Sequence, residues 1–240
     1  RPPRSTLFPY TTLFRSARTG SRVHLPAYRV VVAGVFIAFE GPEGAGKSTQ
    51  VERLAGRLQS SGIEPVITRE PGGTPAGDAI RTVVLDPSLQ VAPMTEFLLY
   101  CASRAQHVEE LLRPALYAGS VVVTDRFAGA SIAYQGHGRG LDLEFIDELT
   151  ARVTGGLAPH LTVLMDIDPA RGLERIASRG ATDRLERANL AFHERVRRGF
   201  LEQASRQPDS WLVLDAERPA GELETQIWER VSSLLGERTG

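Results

Sequence analysis

The chain has 240 residues, 42% of them hydrophobic, and a net charge of −1, a profile that suits one compact domain of mixed type. No apolar run approaches the roughly 20 residues that span a bilayer. The single cysteine, Cys101, excludes an internal disulfide framework and suits a reducing cytoplasm.

Six of the 28 basic residues lie within residues 1–34, which hold no acid, so the remainder carries 22 basic against 29 acidic residues. That acidic body argues against a general affinity for nucleic acid. Residues 6–16, TLFPYTTLFRS, read as the translation of a sequencing-adapter oligonucleotide. Residues 1–33 are therefore expected to be a non-native or disordered leader, and the single domain to occupy 34–240.

From residue 35 onward, apolar β-rich runs alternate with helical patterns. Strands are expected at 35–39, 65–68, 121–124, 161–165 and 211–214, all continuous apolar runs of the kind covered on both faces. Helices are expected at 47–61, 93–118, 142–154, 169–178, 185–205 and 219–235. The glycine-rich stretches 71–77 and 135–140 read as loops near the strand ends. This alternation predicts a three-layer α/β/α domain with a five-stranded parallel sheet, and the G-x-x-x-x-G-K-[ST] match at Gly41–Ser48 makes it one of the P-loop NTPase type. Ligands in such sheets bind at the carboxyl ends of the strands.

The turn after the first strand, Gly41-Pro42-Glu43-Gly44-Ala45-Gly46-Lys47-Ser48, fits G-x-x-x-x-G-K-[ST] at every fixed position. Its glycines let backbone N–H groups curl around phosphate oxygens, and the following helix adds its positive end. These residues and Thr49 are expected to bind ATP, with Lys47 reaching the β- and γ-phosphates and Ser48 binding Mg²⁺. Arginine is used 27 times and lysine once, at Lys47, so composition does not explain that lysine. No Asn-Lys pair exists to read guanine. The third strand ends in Asp125-Arg126, where the carboxylate can hold Mg²⁺ and the guanidinium a phosphate. The five histidines fall at no metal-ligand spacing and read as surface groups or supports behind the site.

Five segments, FEGPEGAGKST (39–49), TREPGGT (68–74), LLYCASRAQHV (98–108), DRFAGASIAYQGHGRG (125–140) and TDRLE (182–186), together resemble the bacterial thymidylate kinase family. By pattern alone Tyr100 and Arg104 share a solvated helix face, opposite an apolar stripe of Leu98, Cys101, Ala105, Val108 and Leu112. The resemblance reverses this. It implies that Tyr100, where the family usually has Phe, stacks on thymine and that Arg104 donates to the base's O4. It implies that Arg81 and Arg126 grip the acceptor phosphate, with Glu70 beside that phosphate and the attacking oxygen. Ser131 and Gln135 then hydrogen-bond the base, Tyr134 disfavours a 2′-hydroxyl, and Glu43 receives the sugar 3′-OH. A lid near 179–187 would carry the catalytic Arg184 and Arg179 over ATP. The reaction implied is ATP + dTMP → ADP + dTDP with Mg²⁺, in a homodimer. Another nucleoside-monophosphate kinase, or a non-catalytic ATP-binding module, stays open at this point.

Overall fold

The computed structural model describes residues 34–178 and 183–239. The expected leader and Arg179 lie outside the described residues. Strands β1 (Val35–Glu40), β2 (Val66–Arg69), β3 (Val121–Asp125), β4 (Leu161–Asp166) and β5 (Trp211–Asp215) form one sheet in the order β2-β3-β1-β4-β5. All pairings are parallel, and each strand lies within one residue of its expected bounds.

Period-two alternation explains why β1 is buried at every position. Val35, Ile37 and Phe39 pack on Val51, Leu54 and Leu58 of α1 (Lys47–Ser60) and on Leu223, Ile227 and Val231 of α9 (Ala220–Thr239). Phe36 and Ala38 point the other way, onto Val108, Leu112 and Leu116. Those three belong to a continuous helical path: α3 (Pro93–His107), a π-helical turn (Val108–Leu112) and α4 (Arg113–Tyr117). No described helix is long and apolar enough to cross a membrane.

Two stretches expected to be loops are helical. Within 71–77, Thr74 caps a helix by accepting from Gly77 N at 3.1 Å, and Pro75 opens α2 (Pro75–Leu85). After α5 (Ala128–Ser131), a π-helical segment (Ile132–Gly138) takes in most of the second glycine-rich stretch. The remaining helices are α6 (Leu143–Thr154), α7 (Pro169–Ala177) and α8 (Leu190–Arg206). The last begins five residues later than its apolar pattern implied, because Asn189 caps it by accepting from Phe192 N.

Register positions the site. Phe39 pairs with Asp125, and Asp125 with Arg69. Gly41, Arg126 and Glu70 therefore leave the same carboxyl edge, next to the central strand where connections diverge to either side.

Candidate active site

Gly46 takes φ 81 at the start of α1, which has no side-chain cap, so its first amides are presented to a ligand. Lys47 is buried, with Nζ donating to the carbonyls of Gly41 at 3.1 Å and Pro42 at 2.9 Å. Burial, and then repulsion from Arg126, lower its pKa from 10.5. Gly44 takes φ 72, and a Cβ there would collide with the backbone carbonyl of Gly172 on α7, so only glycine lets the loop lie this close. Ser48 Oγ donates to Asp125 Oδ2 at 2.9 Å. This pair of hard oxygen donors beside the phosphate loop fits Mg²⁺, which takes one or two protein oxygens and completes its shell with water and phosphate.

Facing the loop, Arg126 adopts φ 72, a left-handed conformation that is unfavourable for a side chain of this size and is held by its surroundings. Its Nη1 donates to Gly41 O at 3.0 Å, and its Nη2 to Glu43 Oε1 at 2.7 Å and Tyr134 OH at 3.0 Å. Tyr134 OH in turn donates to Glu43 Oε1 at 2.8 Å. Burial pushes the Glu43 carboxyl up, but Arg126 and Lys47 outweigh it and hold its pKa below 4.5. Arg81 donates to Pro71 O at 2.9 Å. Burial and the neighbouring Arg69 cation lower its pKa below the usual guanidinium range. Cations gathered against their own repulsion mark a place built for an anion.

Lys47, Ser48, Arg81, Tyr100, Arg126 and Tyr134 all line one cleft of about 380 Å³, as do Glu43, Glu70, Ser131, Gln135 and the residues from Gly44 to Thr49. Arg104 lies beneath that lining. The solvated face expected from pattern is wrong, for Arg104 is 1% exposed while Leu98 of the supposed apolar stripe is 47% exposed. Arg104 donates from Nε to Glu70 Oε2 at 2.7 Å, from Nη1 to Ser131 Oγ at 3.0 Å and from Nη2 to Phe127 O at 2.9 Å. The other oxygen of Glu70 meets His107 Nδ1 at 3.0 Å, and His107 Nε2 meets Thr68 Oγ1 at 2.8 Å. The acid is thus clamped from behind.

The structure does not bring Arg184 to the phosphate loop. Its Nη1 pairs with Glu96 Oε2 at 2.6 Å and its Nε donates to Val84 O at 3.0 Å. The wholly buried Glu96 draws this cation away. The lid segment instead presents Asp183, Leu185 and Glu186 to the cleft.

Sequence reasoning missed Glu40, Arg69 and Glu96, and gave His107 only as a surface group or a support behind the site, the second of which it is. A signal existed for two of them: Glu96 and His107 share a face of α3 with Tyr100 and Arg104 at helical spacing. Arg69 sits inside the TREPGGT motif. Glu40 had none beyond its place before Gly41.

The family model described as thymidylate kinase matches residues 39–227. A thymidylate kinase of Deinococcus radiodurans is 59% identical over 83% of this chain and 97% of its own length. One from Exiguobacterium sibiricum is 46% identical over 86% and 98%. The crystal structure of thymidylate kinase from Ehrlichia chaffeensis superposes with a TM-score of 0.68 at 29% identity, covering 83% of this chain and 98% of that one. Matched across most of its length in sequence and in fold, the chain belongs to the thymidylate kinase family.

Proposed function

We propose that the chain transfers the γ-phosphoryl group of ATP to dTMP, giving dTDP for dTTP biosynthesis. One observation carries this reading beyond family membership. A phosphate loop with an uncapped helix start opens into the same cleft as Arg81 and Arg126. A second phosphate has a place opposite the first.

Phosphoryl transfer asks for positioning and charge neutralisation rather than covalent chemistry. The amides of the loop cradle the donor phosphates, and Lys47 exchanges its two carbonyls for phosphate oxygens. Ser48 and Asp125 would hold Mg²⁺, which would supply charge neutralisation for the transferring phosphoryl group. Arg81 and Arg126 grip the acceptor phosphate as guanidinium forks, with Glu70 at its side. Glu43 receives the 3′-OH, and the Tyr134 ring closes the space beside the sugar against a 2′-hydroxyl. Tyr100 stacks on the base, a contact of about 1–3 kcal/mol, while Ser131 and Gln135 bond its edge. Arg104 reaches O4 with a second N–H of its guanidinium, since one N–H of each nitrogen is engaged by protein. Arg179 and Arg184 supply the lid cation, Arg184 after exchanging Glu96 for the phosphoryl group. A homodimer is carried over from the family resemblance. A cytoplasmic location belongs to the same reading, and the single buried, free Cys101 is consistent with it.

Coupled ADP release measured with dTMP, dUMP, dCMP, AMP and GMP tests the reading. dTMP is expected to give the highest kcat/KM. A preference for AMP overturns the reading in favour of another monophosphate kinase. ATP binding without acceptor-dependent turnover leaves only a binding module.

A further inference from the structure

Glu96 lies on α3 at zero exposure. Its Oε1 accepts from Gln135 Nε2 at 2.8 Å and from Arg139 Nε at 3.3 Å. Its Oε2 accepts from Arg139 Nη2 at 3.0 Å and pairs with Arg184 Nη1 at 2.6 Å. One buried carboxylate thus joins α3, the π-helical segment and the lid.

The oxygen and the nitrogen of an amide are not interchangeable opposite a carboxylate. An ion-paired carboxylate only accepts hydrogen bonds, so Gln135 must turn its nitrogen toward Glu96. That leaves Oε1 as the amide atom of Gln135 not held by Glu96, in a residue that lines the cleft. Gln135 is 1% exposed, and this oxygen has no partner among the described residues. A buried carbonyl oxygen without a donor is unfavourable, and this one belongs to a residue that lines the cleft.

We infer that Glu96 is a specificity-determining positioning residue: by holding the amide of Gln135 in one sense, it makes the acceptor site demand a hydrogen-bond donor from the base. Thymine and uracil present N3–H to such an oxygen. Cytosine presents a lone pair at N3, so acceptor faces acceptor and the base is refused. Glu96 itself touches no substrate. The inference rests on the reading of the acceptor as dTMP and adds the device by which the pyrimidines are told apart.

The test compares kcat/KM for dTMP and dCMP in the wild type, Glu96→Gln and Arg139→Gln. An amide at position 96 accepts Gln135 in either sense, so Glu96→Gln is expected to lower the dTMP:dCMP ratio by about tenfold or more, the effect of one mismatched buried hydrogen bond. Arg139→Gln leaves the Glu96–Gln135 bond in place and is expected to keep the ratio. N3-methyl-dTMP on the wild type is expected to lose about tenfold or more against dTMP for the same reason. An unchanged ratio in Glu96→Gln, with dTMP still preferred, overturns the inference and leaves the function standing. A wild type that does not phosphorylate dTMP defeats the functional reading itself. If circular dichroism shows Glu96→Gln unfolded, the methylated substrate decides: turnover equal to that of dTMP overturns the inference.

Discussion

Glu40 closes β1 directly before the phosphate loop and is 1% exposed. Its Oε1 accepts from Phe127 N at 2.9 Å and Ala130 N at 3.0 Å, tying the Asp125–Arg126 turn to the central strand. Its Oε2 has no partner among the described residues. Burial raises its pKa from 4.5 to about 7, against the opposing pull of Arg126, of the two backbone N–H groups and of Arg104. Because the folded value is the higher one, the folded state holds this proton more tightly. The associated stability is present in full below about pH 4.5 and lost as pH rises through about 7. At about 1.4 kcal/mol per pH unit, the loss is on the order of 3 kcal/mol, most of it between pH 5 and pH 8. Glu40→Gln keeps an acceptor for both N–H groups and removes the titration. Urea unfolding of both proteins across that range is the assay. Wild-type stability is expected to fall by roughly 2–3 kcal/mol more than that of the variant. The absolute offset between the curves is not diagnostic, because the new amide nitrogen needs a partner of its own. Parallel curves would refute the reasoning, since they would mean that Glu40 does not titrate in the folded protein within this range.

Other perturbations separate binding, catalysis and stability. Lys47→Met removes the cation from the phosphate loop; kcat is expected to fall by about 10²–10³-fold in steady-state assays, with the circular dichroism spectrum unchanged. Arg104→Met leaves Glu70 buried without its guanidinium and is expected to destabilise by about 3–5 kcal/mol in urea titrations, enough to dominate any effect on base contact. Gly44→Ala strains the backbone at φ 72 by about 1–2 kcal/mol and drives a Cβ against Gly172. Calorimetry is expected to show weaker ATP binding while dTMP binding persists. Tyr134→Phe removes the hydroxyl shared by Arg126 and Glu43; a loss of about 1 kcal/mol is expected to raise the KM for dTMP roughly fivefold with the KM for ATP unchanged.

Features that depend on contiguous residues were legible in the sequence. The phosphate loop is one: its strand, glycines, lysine and helix occupy a single stretch, and backbone conformation follows local chemistry. The five strands are another, because burial on both faces demands unbroken apolar runs. Helix α2 was legible in principle, for Thr74-Pro75 is a start signal, but the glycines at 72 and 73 masked it. The thymine-reading set needed the family resemblance, because Tyr100 and Arg104 alone read as a solvated face.

Tertiary structure alone decided the partners of the charged groups. Helical spacing puts Glu96 on the face of Tyr100 and Arg104, but nothing local buries it under two arginines while Glu109 and Glu110, on the continuation of the same helix, stay exposed. Nor does any local pattern turn Arg184 toward Glu96, set Arg104 behind Glu70, or leave Glu40 with an oxygen that has no partner among the described residues. A helical period and a phosphate-loop motif describe how a short segment folds on itself. Burial, charge pairing and the shape of the cleft arise only where segments far apart in sequence meet, here along the carboxyl edge that the register of β1, β2 and β3 brings into line.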